Sequence, residues 1–207
     1  MIFEQIALSR MDNFSYVIGD EDSKEAAVVD PAWENDKILG VAMKHDLKVT
    51  KIIVTHTDYD HIEGVRDMAK DTGATIIVHK KGEDTIRQLG IDNVETVDEG
   101  SEFNIGNVKV KVMYTPGHNP TQCCFLIENK IITGDTLFVE GCGRVDFHHS
   151  NIKDQWESLQ RLKALDENIE VYPGHDYGSI PHSTIKHEKE NNHFLKCNTF
   201  EEFSTIR

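Results

Sequence analysis

The chain has 207 residues, of which 38% are hydrophobic and 28% are charged, and its formal net charge is −14. This length and composition are typical of one globular domain with a substantial core, so we predict a single domain spanning residues 1–207. The acidic balance argues against a broad phosphate-binding face, and we therefore predict neither a nucleic-acid partner nor nuclease activity.

Residues 1–19 lack a basic region followed by a continuous apolar run, and nowhere does an apolar stretch approach the roughly 18 residues of a membrane span. We therefore expect no signal peptide and no membrane partner. The four cysteines (Cys123, Cys124, Cys142 and Cys197) show no Cys-x-x-Cys spacing. Reduced thiols are expected, which indicates a cytoplasmic location. Adjacent Cys123 and Cys124 should point to opposite faces of a strand.

Apolar periodicity predicts alternating strands and helices in the first and last thirds of the chain and mostly strands between them. In chain order, the predicted elements are strands at 15–18 and 26–29, a helix at 35–46, a strand at 51–54, a loop at 56–61, a helix at 62–70, strands at 74–79, 108–114, 123–127 and 131–133, a helix at 152–165 and a strand at 169–172. Ser150 or Asn151 is the expected N-cap of the long helix. Thr199 and Glu202 form a capping box for a short terminal helix.

Four apolar strands run directly into His, Asp and Gly residues. The residues after these strands are the segment from His56 to His61, then His118, Asp135 and His175. Strand ends hold side chains on a rigid scaffold, and neighbouring glycines let the backbone approach closely. Because imidazole and carboxylate groups suit zinc, iron and manganese, this pattern predicts a metal site.

The segment from His56 to His61 is the most specific of these signals. It offers four potential ligands, which cannot all reach one ion comfortably, so the spacing predicts two ions side by side. The alternative is a solvated acidic loop, since His and Asp are ordinary surface residues. That alternative leaves the three other strand-end residues unexplained, and we therefore predict a two-metal active site.

These residues resemble the metallo-β-lactamase superfamily, whose signature is His-x-His-x-Asp-His followed by a distant His, Asp and His. Within it the likeness is greatest to the glyoxalase II and persulfide dioxygenase branch. The supporting stretches are residues 115–118, 134–138, 141–147 and 172–178, within a likeness from about Met1 to Leu195. The resemblance implies an α+β fold, an αβ/βα four-layer sandwich of two packed mixed sheets flanked by helices, with the site along one sheet edge.

By position, the resemblance implies a first ion held by His56, Asp58 and His118, a second held by Asp60, His61 and His175, and Asp135 as the bridge between them. Asp58 departs from the superfamily pattern, which usually has histidine there. Either the first site is damaged, leaving one ion or none, or the carboxylate is a ligand, as a glutamate is in the similar flavodiiron branch. We favour the ligand, because aspartate is competent and every other position is intact.

Charge counting bears on which metal binds. Two divalent ions carry four positive charges, which three aspartates and a bridging hydroxide cancel, whereas histidine at position 58 would leave one positive charge. The extra anionic oxygen favours harder ions, so iron and manganese gain over zinc. We expect two divalent ions, either Zn, Fe or Mn, and Asp58 makes iron or a mixed pair compatible with the site.

The resemblance implies a glyoxalase II-like hydrolase whose substrate is a small molecule of the thioester class. A metal-bound hydroxide at the dinuclear site is expected to attack the carbonyl, with Asp60 orienting the nucleophile. Glyoxalase II enzymes carry a longer helical C-terminal part that binds glutathione, and little follows Leu195 here. The resemblance therefore implies a weaker hold on glutathione, or a substrate without it.

Two other functions are compatible with the same residues. One is a persulfide dioxygenase-like, non-haem iron oxygenase, in which His56, His118 and Asp135 hold a single iron. It ranks lower because all ligands of the second ion are present, and oxygen consumption with a persulfide would distinguish it. The other is a non-enzymatic sensor or partner-binding domain, which predicts no turnover with any metal.

Arg144 is similar to the basic residue that contacts the glutathione portion of substrates in related enzymes, so we predict a substrate-binding role. An ion pair with Asp146 is the alternative. Asp146 stands where glyoxalase II tends to have a tyrosine, which counts against strict glyoxalase II activity. We expect Cys142 to be buried rather than nucleophilic. The remaining histidines are expected at the surface or on helices, with only the last near the pocket: His148, His149, His187, His193 and His182.

Overall fold

The computed structural model describes residues 1–206, so the last residue of the predicted 1–207 domain lies outside it. The first of two six-stranded sheets contains, in spatial and chain order, β1 (Ile2–Ala7), β2 (Phe14–Gly19), β3 (Glu25–Val29), β4 (Lys48–Ile53), β5 (Thr75–His79) and β6 (Val94–Val97). Strands β1 to β3 are antiparallel, and β3 to β6 are parallel.

The second sheet follows in the chain and is also mixed. Its strands are β7 (Glu102–Ile105), β8 (Val108–Tyr114), β9 (Cys123–Ile127), β10 (Lys130–Gly134), β11 (Glu170–Pro173) and β12 (Ser183–Thr184). Their spatial order is β12-β11-β10-β9-β8-β7. Only the pair β10 and β11 is parallel among the pairs within residues 1–206.

The helices cover the outer faces of both sheets. They are α1 (Asn35–Lys44), α2 (Tyr59–Ile62), α3 (Val65–Thr72), α4 (Glu83–Gln88), α5 (Ile152–Lys163), α6 (Ile185–Asn191), α7 (His193–Lys196) and α8 (Phe200–Thr205), with a 3-10 turn at Lys80–Gly82. None of the helices within residues 1–206 is long and apolar enough to cross a membrane.

Three apolar clusters separate the layers. One lies between the first sheet and α1, α3 and α4, one between the two sheets, and one between the second sheet and α5 to α8. The predicted αβ/βα sandwich is therefore confirmed. Cys123 belongs to the cluster between the sheets and Cys124 to the cluster beneath the helices, which confirms that they point to opposite faces. All four cysteines are buried.

The predicted helix at 62–70 is wrong in its boundaries, because the chain forms two shorter helices there. α2 begins at Tyr59, so Asp60 and His61 lie on a helical turn rather than in the predicted loop. The two helices meet at Gly64, whose N–H donates to the Pro31 carbonyl at 2.9 Å. A Cβ on this glycine would come within 2.5 Å of that oxygen, so close backbone contact sets the break.

Helix starts at the end of the chain agree with the capping signals. Asn151, rather than Ser150, caps α5 through its side-chain oxygen, which accepts from the N–H groups of Lys153 and Asp154. Thr199 caps α8 and accepts from the N–H of Glu202 at 3.2 Å. Local side-chain chemistry therefore predicted these two starts correctly.

Asp20 joins the two sheets at the edge opposite the strand ends that carry the candidate ligands. Its Oδ2 accepts from the backbone N–H and the side-chain amide of Asn107, both at 2.8 Å. The Asn107 backbone donor, followed by Ser23, lowers the pKa of Asp20 from 3.8 to about 2. This contribution to the free energy of unfolding is complete above pH 4 and is lost as the pH falls towards 2.

Asp20→Asn removes that ionisation, so we expect its deficit in unfolding free energy to shrink as the pH is lowered from 5 to 2. The measurement is urea unfolding of the wild type and the variant across this range. A deficit that stays constant with pH would contradict the assignment. Metal content at pH 7 should be unchanged, because Asp20 follows β2 at the end of the first sheet opposite the candidate ligands.

Candidate metal centre

The candidate ligands follow strand ends that meet at one edge of the sandwich. β4 in the first sheet leads into the segment from His56 to His61. In the second sheet, β8, β10 and β11 run in the same direction and lead into His118, Asp135 and His175. Both sheets therefore contribute side chains to one cluster.

The structure brings all seven predicted ligands together. Their ligand atoms form three overlapping groups, each within 4.8 Å, and the groups are His56, Asp58 and His118; His56, His61 and Asp135; and Asp60, His61 and His175. The first and last groups coincide with the two ligand sets that the resemblance implies. The middle group takes one histidine from each set, which places Asp135 between them. Only Asp58 among the seven is partly exposed; the others are buried.

Asp135 contacts residues of both ligand sets. Its Oδ2 lies 3.6 Å from His118 Nε2 and 3.3 Å from His175 Nε2, while its Oδ1 lies 3.4 Å from His61 Nε2. Gly174 makes room for this carboxylate, since a Cβ there would come within 2.4 Å of Asp135 Oδ1. The geometry is compatible with a bridging role.

Each histidine of the cluster is held by a hydrogen bond at its outer nitrogen, Nδ1. His118 Nδ1 faces the Arg144 carbonyl at 2.8 Å, and His175 Nδ1 faces the Met11 carbonyl at 2.9 Å. A carbonyl can only accept, so both Nδ1 atoms carry a proton and both Nε2 atoms point into the cluster, where a metal can bind them once they are deprotonated.

Asp30 orients the two histidines that follow β4, His61 directly and His56 through Thr55. Its Oδ2 lies 3.0 Å from His61 Nδ1 and accepts from Thr55 Oγ1 at 2.6 Å. Thr55 Oγ1 in turn lies 3.0 Å from His56 Nδ1. Asp30 was not among the predicted site residues, although it directly follows β3, which runs parallel to β4, and this position was the available signal.

The cluster fits positively charged ions. His61 Nε2 and His175 Nε2 lie 3.2 Å apart, a distance that suits both a hydrogen bond through one proton and two imidazole ligands on one tetrahedral ion. His56 Nε2 and Asp135 Oδ1 are buried and make no hydrogen bond within residues 1–206. Nitrogen and carboxylate donors of this kind suit divalent zinc, iron or manganese.

The charges in the cluster shift its pKa values strongly. Burial opposes protonation of His61, but Asp135 and Asp30 raise its pKa to about 10. Burial also opposes ionisation of Asp58, yet the hydrogen bond from His118 and the nearby imidazole of His56 hold its pKa well below the ordinary value. Metal binding at these residues therefore displaces protons.

A cavity of about 670 Å³ opens over the cluster. Asp58, Asp60 and Asp135 lie at its floor. Its walls are largely aromatic and apolar, and they include Met11, Tyr59, Phe138, Phe147, Tyr177 and Phe194. A space of this size accommodates a drug-sized ligand.

Among the other residues singled out from the sequence, some lie where we expected them and others do not. Arg144 lines the cavity and pairs with Asp146, as the alternative had it, and its substrate-binding role stays a prediction. Cys142 is buried, as predicted. His182 stacks on Tyr172 and does not line the cavity. His149 was expected at the surface but lies in the cavity wall, stacked on Phe147, because the loop after Arg144 folds back over the cluster.

Together, the αβ/βα sandwich and its cluster of histidines and aspartates at one end of the sheets define a metal-binding enzyme site. The family model described as the Metallo-beta-lactamase superfamily matches residues 9–175, and the chain belongs to this superfamily.

Individual relatives agree with this assignment. "Probable polyketide biosynthesis zinc-dependent hydrolase PksB" of Bacillus subtilis (strain 168) is 33% identical over 196 residues, which cover 94% of this chain and 87% of the relative. "Hydroxyacylglutathione hydrolase" of Pelagibacter ubique (strain HTCC1062) is 30% identical, with coverage of 98% and 96%. The crystal structure of ETHE1 from Myxococcus xanthus superposes with a TM-score of 0.91 at 34% identity, covering 100% of this chain and 89% of that one.

These comparisons confirm the superfamily, the glyoxalase II and persulfide dioxygenase-like branch, and the class of metal-dependent hydrolase. A relative described as zinc-dependent and the donor set at the sheet edge together agree with a dinuclear site for divalent ions. The role of each ligand stays a prediction.

Proposed function

We propose that this chain hydrolyses a small acyl thioester at a centre of two divalent ions. In this proposal the first ion is held by His56, Asp58 and His118, the second by Asp60, His61 and His175, and Asp135 bridges them. The observation that carries it is the 3.2 Å approach of His61 Nε2 and His175 Nε2. This separation suits two imidazoles on one tetrahedral ion, and an ion bound there would replace the proton that joins them in the ion-free protein.

The bound ions supply Lewis acidity and lower the pKa of water from 15.7 to about 7. Asp60 orients the attacking water in this proposal. Its Oδ2 lies 3.5 Å from His175 Nε2, at the cavity floor, and the Asn13 side-chain amide donates to its backbone carbonyl at 3.0 Å. That hydrogen bond fixes Asp60 relative to the second sheet, because Asn13 bridges to His175.

The reaction forms one bond and breaks one. The water oxygen bonds to the thioester carbonyl carbon, the carbon–sulfur bond breaks, and sulfur leaves with the electron pair. Because a thiol has a pKa of about 8.5, the thiolate leaves with little help from a proton donor. The products are a carboxylate and a thiol, and the remaining proton is released to solvent.

The substrate is proposed from the relatives and from the cavity walls. Hydroxyacylglutathione hydrolases act, by name, on an acyl thioester of glutathione. The ion pair of Arg144 with Asp146 is exposed by 61% and 64%, so solvent weakens it and a substrate carboxylate can replace Asp146. The aromatic side chains of Phe147 and Tyr177 favour an apolar acyl group.

A persulfide oxygenase is the second candidate. It is favoured by the placement of His118 Nε2 only 3.6 Å from Asp135 Oδ2, with His56 in one group with Asp135. Two histidines and one carboxylate on one side of the cluster are a known pattern for iron. The approach of His61 and His175 favours the dinuclear hydrolase over this reading.

The test measures metal content and reaction together. Protein purified without chelator is analysed for metal identity and stoichiometry, as wild type, Asp58→Ala and Asp71→Ala. Asp71 is the matched control, because it is exposed near the end of α3 and lies outside the cluster. We expect two ions in the wild type and control and one in Asp58→Ala. Thiol release from an acyl-glutathione thioester should proceed without oxygen uptake.

The opposite results are equally clear. One iron per chain in the wild type and in Asp58→Ala, with oxygen consumed in the presence of a persulfide, would replace the hydrolase by the oxygenase. Two ions and no turnover with either substrate would favour a non-enzymatic role.

We further propose that the chain acts in the cytoplasm as one domain spanning residues 1–207, on a small molecule and without a nucleic-acid or membrane partner. The buried thiols support the location, because such groups persist in reducing compartments. The net charge of −14 supports the exclusion of nucleic acid. Cell fractionation tests the location.

A further inference from the structure

The two oxygens of the Asp58 carboxylate have different surroundings. Oδ2 faces the cluster, 3.0 Å from His118 Nε2 and 3.5 Å from His56 Nε2. Oδ1 faces away from these nitrogens and accepts a hydrogen bond of 2.8 Å from the side-chain amide of Asn119. His149 Nε2, at 3.9 Å from Oδ1, is beyond hydrogen-bond distance, so Asn119 holds this oxygen.

Asn119 is itself fixed. It is 5% exposed, and its side-chain oxygen accepts from the Thr121 N–H at 2.8 Å and from Thr121 Oγ1 at 2.7 Å. With that oxygen engaged by two donors, the amide nitrogen must face Asp58, and the orientation of the amide is determined by its hydrogen bonds.

The same network reaches the segment that carries Asp58. Thr121 Oγ1 accepts from the backbone N–H of Thr57 at 3.0 Å while it donates to Asn119. A closed ring of hydrogen bonds therefore joins Thr57 and Asp58, in the segment after β4 of the first sheet, to Asn119 and Thr121, in the loop between β8 and β9 of the second. Thr121 is also buried, at 4% exposure.

We propose that Asn119 is a positioning residue that presents Asp58 to the first ion through a single oxygen, Oδ2. An imidazole offers a metal one atom, whereas a free carboxylate can bind through one oxygen or two and can rotate between these modes. By engaging Oδ1, Asn119 makes Asp58 a one-atom donor, the same kind of donor as the histidine that the superfamily pattern usually has at this position. This inference rests on the proposed role of Asp58 as a ligand.

Loss of Asn119 should weaken binding of the first ion and leave binding of the second unchanged. Groups that orient a metal ligand typically change metal affinity by about 10- to 100-fold when they are removed. The second set, with Asp60, His61 and His175, makes no hydrogen bond to Asn119 among those of the described residues, so its affinity should stay the same.

The test is a double-mutant cycle with Asn119→Ala and Asp58→His, read by competitive chelator titration and by the absorption spectrum of the cobalt-loaded protein. In the wild-type background, Asn119→Ala should lower the affinity for the first ion by about 10- to 100-fold and shift the absorption spectrum of the cobalt-loaded protein. In the Asp58→His background it should change the affinity less than about 3-fold, because an imidazole has no second oxygen to hold.

Asn129→Ala is the matched control, because Asn129 also donates to a carboxylate, that of Glu170 at 3.0 Å, but it is exposed and outside the cluster. It should leave both affinities unchanged. If Asn119→Ala does not fold, Asn119→Ser replaces it, since a serine hydroxyl retains a partner for Thr121 but is too short to reach Asp58.

Equal loss in both backgrounds would show that Asn119 only supports its loop, and unchanged affinity in the wild-type background would remove its role altogether. Either result overturns the inference while leaving the dinuclear centre intact. Failure of the proposed function is separately visible, because the wild type alone would then bind fewer than two ions.

Discussion

Asp135→Ala should lose both ions and reduce thioester hydrolysis by at least about 10³-fold, because the activated water and the Lewis acid both depend on the metal centre. The physical reason is that this buried carboxylate lies within 3.6 Å of histidines from both ligand sets. Without it, the four imidazoles of the cluster are left with less negative charge to offset the ions. Metal analysis after dialysis and thiol release measure the two effects.

Asp135→Asn is the companion variant, because it preserves shape and removes only the charge and one acceptor oxygen. It should retain the fold and still lose most bound metal. Retention of two ions in either variant would show that Asp135 does not bridge, and the ligand assignment would then need only the two outer groups of the cluster.

Asp30→Asn should weaken binding of the second ion although it replaces none of the proposed ligands. The amide places an N–H donor where a carboxylate oxygen now accepts from His61 Nδ1. Nδ1 then becomes the acceptor, the ring proton moves to Nε2, and the nitrogen that faces the cluster can no longer bind a metal. We expect affinity for the second ion to fall at least about 100-fold, at the upper end of such effects.

The same variant should also lower the free energy of unfolding by about 1–3 kcal/mol, because the Thr55 hydroxyl loses its buried acceptor. Asp20→Asn is the matched control, since it changes another little-exposed aspartate that accepts backbone and side-chain hydrogen bonds. The control should lose stability and keep two ions. If Asp30→Asn keeps both ions with wild-type affinity, the orientation of His61 does not depend on Asp30.

The sequence predicted the sandwich and the location of the cluster well, for a physical reason. Strand ends at one sheet edge converge, so ligands directly after β4, β8, β10 and β11 had to meet once the strands were correctly placed. The hydrogen bonds that orient the ligands were harder to predict from the sequence. Backbone carbonyls of Met11 and Arg144 hold two histidines, and a carbonyl has no residue-type signal.

Other features depended on contacts that only the fold creates. Asn119 is an ordinary loop residue in the sequence, and its function as a donor to Asp58 arises from two loops on different sheets. The break between α2 and α3 depends on the approach of Gly64 to the Pro31 carbonyl. His149 reaches the cavity because its loop folds back, which periodicity does not encode.

Each proposed ion takes ligands from both sheets, with His118 completing the first set and His175 the second. The ions would therefore link the two halves of the chain, because neither half contains a complete ligand set for either ion. Metal affinity adds directly to the cohesion of the halves, since binding to the folded state alone stabilises it by RT ln(1 + [L]/Kd). The protein can hold its reactive centre only while the two sheets keep their alignment, so catalytic competence reports on the integrity of the whole sandwich.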